Sequence, residues 1–141
     1  MFKLFLLGIV FSMSLFAQNV WFTNINESIN VAKQHHVPIV VFVYRDGCQY
    51  CEKSIHGFST KKLKNTLSNY SILPLAINSR EFKKMDRLKL QANLYPSYFL
   101  LSENGEIVSK SINGYIEPDK LNEILERFIL QYEINKYKKN N

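Results

Sequence analysis

The chain has 141 residues, of which 46% are hydrophobic and 21% charged, so its size and composition fit one packed domain rather than a disordered chain. Two cysteines exclude a disulfide-dense scaffold and, by themselves, a four-cysteine metal site. The net charge of +6 is spread along the chain, and because no nucleic-acid-binding motif accompanies it, we expect no nucleic-acid partner.

Residues 1–17 have the pattern of a secretory signal peptide. A lysine near the start is followed by thirteen uncharged residues, Leu4–Phe16, and Ala17 is a small residue at a cleavage site. Thirteen helical residues rise roughly 20 Å, less than the ~30 Å core of a bilayer, which disfavours a permanent span; an uncleaved membrane anchor stays open as the alternative. The pattern predicts that residues 18–141 form one domain in a periplasm, where disulfides persist.

Hydrophobic periodicity and capping residues predict the first six elements. In chain order they are a helix capped by Asn24 or Asn26 and ending near His36, a strand Ile39–Tyr44, a helix Cys48–Phe58, a helix capped by Ser59 or Thr60 and reaching Tyr70, a strand Ile72–Ile77, and a helix from about Arg80 to Gln91 capped by Ser79. The six consecutive apolar residues of the first strand predict burial on both of its faces, as in a sheet covered by helices.

The remaining chain predicts a hairpin and a last helix. Tyr98–Leu101 and Ile107–Val108 flank the turn residues 103–106, whose Asn-Gly pair supplies positive φ angles. Gly114 ends the second strand, and Pro118 fits the first turn of a helix. Its inward stripe consists of Leu121, Ile124, Leu125, Phe128, Ile129 and Tyr132. This order of elements indicates an α/β fold with a central mixed β-sheet flanked by helices.

The chemistry lies in the segment Asp46-Gly47-Cys48-Gln49-Tyr50-Cys51, directly after the buried strand. Two cysteines three positions apart at a helix start can bridge, because bridged Cα atoms lie roughly 4.4–6.8 Å apart. Free backbone N–H groups and the positive end of the helix dipole favour a thiolate at Cys48, whereas Cys51 lies one turn inside and is better shielded. This asymmetry predicts a redox-active disulfide in which Cys48 attacks and Cys51 resolves.

Two other uses of the cysteines remain open. A purely structural disulfide would close a very small loop and remove little entropy from the unfolded chain. A metal site made of Cys48, Cys51 and His56 would have only three nearby ligands and no second paired motif. Dithiol–disulfide exchange uses more of the observed features than either, so we expect no metal and no cofactor.

With these residues in place, the chain resembles the thioredoxin-like superfamily over about residues 26–128. Four landmarks carry the resemblance: the CxxC pair Cys48–Cys51 between a strand and a helix, Pro96 before a later strand, the Glu103–Glu106 hairpin, and Gly114-Tyr115 before the final helix. The resemblance implies a thioredoxin-like fold and a thiol–disulfide oxidoreductase similar to a protein-disulfide reductase. The chain is most similar to secreted thioredoxin-like proteins and to the periplasmic thioredoxin-like domain of the transmembrane thiol reductase DsbD.

The resemblance also implies roles for residues around the cysteines. In this family the landmark proline is cis and lies beside the sulfurs, so the bond between Tyr95 and Pro96 would be cis. Tyr95 would offer backbone groups to an extended substrate peptide, and Gln49 and Tyr50, between the cysteines, would also bind substrate.

Three positions depart from thioredoxin itself. Gly47 stands in place of a tryptophan, Gln49-Tyr50 in place of Gly-Pro, and Phe42 in place of a buried acid that accepts a proton. Asp46 and Glu52 are the nearest substitutes for that acid in proton transfer, although a solvated charge at a helix start explains each of them equally well.

We therefore expect a monomeric periplasmic enzyme that exchanges disulfides with proteins, apocytochrome c among the compatible substrates, and with a membrane or soluble redox partner. Reduction is favoured, because the Pro-His dipeptide and the inserted helical domain of strong oxidants are missing, although oxidation or isomerisation remains an alternative. The alternative from another class is a non-catalytic peptide-binding or chaperone module with permanently bridged cysteines, which the bulky Tyr95 and the missing acid favour.

Overall fold

The computed structural model describes residues 21–83 and 94–141. The predicted signal peptide lies outside these residues, and so does the part of the predicted Arg80–Gln91 helix that follows Lys83. No described helix is long and apolar enough to cross a membrane. In chain order the elements are α1 (Ile25–His35), β1 (Ile39–Tyr44), α2 (Gln49–Gly57), α3 (Lys61–Ser68), β2 (Leu73–Asn78), α4 (Ser79–Lys83), β3 (Ser97–Leu101), β4 (Ile112–Asn113) and α5 (Pro118–Lys139).

The strands form one mixed sheet in the order β2-β1-β3-β4. β1 runs parallel to β2, from which α2 and α3 separate it in the chain, as a crossover between parallel strands requires. β1 runs antiparallel to β3, with Phe42 opposite Tyr98, and β3 runs antiparallel to β4. The predicted α/β fold with a mixed central sheet is confirmed.

Side chains of β1 alternate between two buried layers, because successive residues of a strand point to opposite faces. Val40 and Phe42 pack in a cluster with residues of α2, α3 and α5. Ile39, Val41 and Val43 pack in a second cluster with residues of α1 and α4. Helices therefore cover both faces of the sheet, which explains the uninterrupted apolar run.

Three predicted helix caps have different outcomes: α1 is capped as predicted, Thr60 is the N-cap residue of α3 but makes no capping hydrogen bond with its side chain, and the cap of α4 is wrong. The side chain of Asn24 accepts a hydrogen bond from the Glu27 N–H at 3.0 Å and caps α1. At α4 the predicted cap, Ser79, is instead the first helical residue. Asn78 accepts the Arg80 N–H at 3.0 Å, because its short amide side chain at the end of β2 reaches the backbone two residues on.

The second strand of the hairpin is shorter than predicted. Ile107 forms only an isolated bridge with Leu101, and regular pairing resumes at β4. Ile107 and Val108 are 48% and 44% exposed, so they bury little apolar surface that would favour a longer ladder. The Asn-Gly turn supplies one positive φ angle, 81° at Gly105.

A buried polar contact that apolar spacing does not reveal joins α3 to α5. Thr66 donates a hydrogen bond to the side-chain oxygen of Asn122 at 2.6 Å, and Asn122 is only 5% exposed. It lies on the inward face of α5 beside Leu121 and Leu125, which are buried as predicted. The other predicted members of the stripe are half-buried: Ile124, Phe128, Ile129 and Tyr132.

Candidate active site

The two cysteines form a disulfide at the start of α2, with their Cα atoms 5.2 Å apart. Cys48 is the N-cap residue of α2, and its sulfur accepts a hydrogen bond from the Cys51 N–H at 3.2 Å. Cys48 is 8% exposed and Cys51 2%. The sulfur that is expected to attack is thus the more exposed of the two, although most of its surface is covered.

The loop between β1 and α2 sets this position. Gly47 has a φ of 71°, a conformation that favours glycine, and it turns the chain from the end of β1 into the cap. The preceding Asp46 accepts a hydrogen bond from the Asn78 side chain at 3.0 Å and lies 3.3 Å from the Arg80 guanidinium. These contacts tie the loop to the junction of β2 and α4.

The segment before β3 lies against the disulfide. The peptide bond between Tyr95 and Pro96 is cis, and the Tyr95 carbonyl oxygen is 3.8 Å from the Cys48 sulfur. A bridged sulfur carries no hydrogen, so this is a contact and not a hydrogen bond. Pro96 accepts the Gly114 N–H at 2.7 Å, and Ser97 donates to the Leu94 carbonyl. The fold thus brings together two segments that the sequence separates by more than forty residues.

Aromatic and cationic side chains contact one another on the segments next to the disulfide. Tyr50 is 61% exposed, and its ring centroid lies 6.2 Å from that of Tyr115. The Lys53 ammonium is 4.3 Å from the Tyr115 ring centroid, and the Arg45 guanidinium is 5.4 Å from that of Tyr95. Sequence reasoning missed Arg45 and Lys53, because nothing in a local pattern shows which distant ring a cation will cover.

The predicted loss of the buried acid is visible at Phe42, which is 1% exposed and packs against aromatic rings, among them Phe58 and Tyr98. Of the two substitutes, Asp46 is held by Asn78 and Arg80 as described above, and Glu52 is exposed on α2. Their role in proton transfer stays a prediction, as do the substrate contacts of Gln49 and Tyr50, both exposed.

Tyr98 is a third residue that sequence reasoning missed. Its side chain is 1% exposed, and within the described residues its hydroxyl makes no hydrogen bond of ordinary geometry, although the Ser54 hydroxyl lies nearby. Burial raises its pKa to about 12; the nearby Ser54 hydroxyl acts in the opposite direction, and Tyr115 adds to the rise. The available signal was one phenol next to the apolar residues 99–101 of β3, directly opposite Phe42.

His56, the third ligand of the alternative metal site, is exposed in the last turn of α2. Across residues 21–83 and 94–141 no group of three or more His, Cys, Asp or Glu side chains could hold a metal ion.

Comparison with known proteins agrees with this fold. Residues 25–129 match the family described as thioredoxin-like domain. Among solved structures, a thioredoxin-fold protein from Helicobacter pylori is 14% identical and superposes with a TM-score of 0.57. The alignment covers 70% of the present chain and 73% of the Helicobacter pylori chain. A disulphide isomerase from Xylella fastidiosa is 10% identical with a TM-score of 0.60, covering 73% of this chain and 86% of its own.

A mutant thioredoxin from Halobacterium salinarum is 15% identical with a TM-score of 0.58, covering 78% of this chain and 89% of its own. No curated protein matches the chain. At these identities the solved structures establish the fold alone.

The fold and the bridged CxxC pair define a class, the thioredoxin-like proteins that carry a dithiol–disulfide site. Because the match spans 105 residues, from 25 to 129, of 141, the chain belongs to the thioredoxin-like domain family. Family membership and the Cys48–Cys51 pair together support thiol–disulfide oxidoreductase activity.

Proposed function

We propose that this protein is a periplasmic thiol–disulfide oxidoreductase that reduces disulfides in protein substrates. The observation that carries the proposal is the Cys48–Cys51 disulfide at the start of α2, with the more exposed Cys48 against the carbonyl of Tyr95. A structural disulfide needs neither the helix cap, nor the difference in exposure, nor a backbone carbonyl beside one sulfur.

Reduction proceeds by two exchanges. The Cys48 thiolate attacks one sulfur of the substrate disulfide, a Cys48–substrate bond forms, and the second substrate sulfur leaves with the electron pair. The Cys51 thiolate then attacks the Cys48 sulfur and displaces the first substrate sulfur, which takes up a proton from water. The substrate gains two electrons, the protein ends as the Cys48–Cys51 disulfide, and a dithiol redox partner must reduce it again.

The groups around the disulfide favour an extended peptide as substrate. The Tyr95 carbonyl lies beside the Cys48 sulfur, where it can accept a hydrogen bond from the backbone of a bound chain. Exposed Gln49 and Tyr50 flank the same sulfur and offer a polar and an aromatic contact. The substrate peptides therefore include partly unfolded secreted proteins, with apocytochrome c as one candidate.

The test of the activity compares insulin disulfide reduction by the wild type and by Cys48→Ser. We expect wild-type turnover and its complete loss in Cys48→Ser, because serine offers no thiolate. Cys51→Ala keeps the attacking sulfur and is expected to accumulate the mixed disulfide, which mass spectrometry detects. Equal rates for the wild type and Cys48→Ser would refute the proposed activity.

The direction of electron flow is measured by equilibrating the pair with glutathione. A potential near that of thioredoxin, about −270 mV, supports a reductase, whereas one near about −120 mV would make the protein an oxidant. The non-catalytic alternative makes a different prediction, since a permanently bridged pair would resist dithiothreitol in the native protein.

The periplasmic location rests on the signal-like residues 1–17. Expression in a bacterium with a periplasm and mass measurement of the released protein should give a chain that begins near Gln18. A full-length chain in the cytoplasm would contradict the location, and a full-length chain in the membrane would support the uncleaved anchor.

A further inference from the structure

Two exposed cations lie on segments next to the cysteine pair, each over a tyrosine ring. The Arg45 guanidinium is 5.4 Å from the centroid of the Tyr95 ring, and the Lys53 ammonium is 4.3 Å from that of Tyr115. Both cations are exposed and both tyrosines are half-buried, so each ring holds in place a charge that a bound partner can reach. We call these groups the two cation–tyrosine pairs.

Contacts connect both cation–tyrosine pairs to the redox site. The Tyr95 carbonyl oxygen lies 3.8 Å from the Cys48 sulfur. The ring centroid of Tyr115 lies 6.2 Å from that of Tyr50, which stands between the two cysteines in the sequence. A backbone hydrogen bond of 2.7 Å joins the residue after Tyr95 to the residue before Tyr115. The two pairs therefore belong to the segments that adjoin the more exposed sulfur.

Both cations lie within reach of the residues next to a substrate cysteine that is bonded to Cys48. Lys53 follows Cys48 by five residues, which is a rise of about 7.5 Å along α2. Arg45 precedes Cys48 by three residues, so their Cα atoms are at most about 11 Å apart. An extended peptide advances about 3.3 Å per residue. Side chains one to three positions from its reacting cysteine therefore span these distances.

No carboxylate in the described part of the chain neutralises either cation. Neither Arg45 nor Lys53 forms a salt bridge there. Asp46, which follows Arg45, lies 3.3 Å from a different guanidinium, that of Arg80. Glu52 precedes Lys53 but lies about 100° away around α2, because each helical residue advances by that angle. The two pairs thus offer positive charge to a partner.

We propose, resting on the oxidoreductase function above, that the two cation–tyrosine pairs select substrates in which acidic residues flank the reacting cysteine. The chemical class is an extended peptide with aspartate or glutamate one to three positions from that cysteine. Arg45 and Lys53 attract these carboxylates and repel basic flanks. The tyrosine rings restrict the cations before binding, so less side-chain entropy is lost when the peptide binds. Both cations determine specificity, and neither takes part in the exchange of sulfur bonds.

The test uses three peptides that differ only in the two residues beside one cysteine, which are aspartate, glutamine or lysine. Each cysteine carries a thionitrobenzoate group, whose release by the reduced protein is followed by absorbance. Each rate constant is divided by that with dithiothreitol, because the flanks also alter the reactivity of the disulfide toward any thiolate. The wild type should favour the aspartate over the lysine peptide about tenfold at low salt, and less than about twofold at about 0.5 M salt.

Variants assign the preference to the two cations. Arg45→Gln and Lys53→Gln should each lower it about threefold, and the double variant should abolish it. A change in the reactivity of the Cys48 thiolate affects all three peptides alike, so the ratio isolates recognition of the flanks. The matched control is Lys64→Gln, which removes one positive charge from an exposed position of α3 and should keep the wild-type preference. An equal loss in Lys64→Gln would show that net charge alone sets the preference and would overturn the proposal.

The same measurements separate this proposal from the proposed function. If the reduced wild type neither releases thionitrobenzoate nor reduces insulin, the oxidoreductase function fails and the preference fails with it. If the wild type reacts with all three peptides at equal normalised rates, the function stands and only the preference for acidic flanks fails. A preference for the lysine peptide would overturn the proposal in the same way.

Discussion

At Cys48, one side chain is both the cap of a helix and the candidate nucleophile. Its backbone is extended, with φ −93° and ψ 108°, and its sulfur accepts the Cys51 N–H. In the reduced protein the same N–H and the positive end of α2 stabilise a thiolate at this position. The geometry that begins the helix therefore also prepares the sulfur for attack.

The buried phenol of Tyr98 gives a pH dependence that can be measured. The unfolded chain releases this proton near the ordinary pKa of 10.0 and the folded chain at about 12, so between these values the unfolded state binds fewer protons. Below pH 10 both states hold this proton and the titration of Tyr98 leaves the free energy of unfolding unchanged, whereas that free energy falls by about 2 to 3 kcal/mol as the pH rises from 10 toward 12.

Urea unfolding of the wild type and Tyr98→Phe across this range measures the effect. Tyr132, whose pKa partial burial also raises, contributes in both proteins, so the difference between them isolates Tyr98. Parallel pH profiles for the two proteins would contradict the expected contribution.

At the scale of elements, the end of α2 is held close to the start of α5. A Cβ atom added at Gly57 would lie 2.8 Å from Cγ of Pro118, closer than carbon atoms pack. Pro118 is the first residue of α5, and its ring is rigid. The absence of a side chain at Gly57 thus lets α2, and with it the cysteine pair, approach α5.

Gly57→Ala is expected to destabilise the protein by about 1–3 kcal/mol, because α2 or α5 must shift to relieve the contact. His56→Ala, at the neighbouring exposed position of the same helix turn, is the control and should stay within about 0.5 kcal/mol of the wild type. Urea denaturation measures both variants. Equal stability of the two variants would show that the helices separate without cost.

At the scale of the whole molecule, two buried clusters share one sheet. One cluster lies between the sheet and α2, α3 and α5, and the other between the sheet and α1 and α4. Since β1 contributes alternate side chains to both, loss of packing on one face also frees the strand that supports the other. The described chain should therefore unfold in one cooperative step.

Leu125→Ala and Leu75→Ala test this by opening one cluster each. Both residues are at most 1% exposed, so each substitution should cost about 2–5 kcal/mol and shift a single transition. Leu130→Ala, on the same helix as Leu125 but at a position 61% exposed, should leave stability nearly unchanged. Circular dichroism in the near and far ultraviolet would reveal two separate transitions if the clusters unfolded independently.

Local patterns were sufficient for most elements and for the cysteine pair. The cap at Asn24, the strand Ile39–Tyr44 and the bridge between Cys48 and Cys51 each depend on residues within a few positions of one another, so spacing alone predicted them. The helical crossover from β1 to β2 and the turn from β3 to β4 also indicated a mixed sheet, whereas the antiparallel pairing of β1 with β3 was decided by the tertiary structure.

The tertiary structure alone decided which distant groups meet. It placed the Tyr95 carbonyl against Cys48, paired Thr66 with Asn122, and buried the Tyr98 side chain. It also shortened the last strand, since Ile107 is too exposed to extend the ladder. These features depend on the packing of whole elements against each other, and neither propensity nor periodicity describes that packing. The local sequence thus determined the cysteine pair, and the tertiary structure determined which groups lie around it.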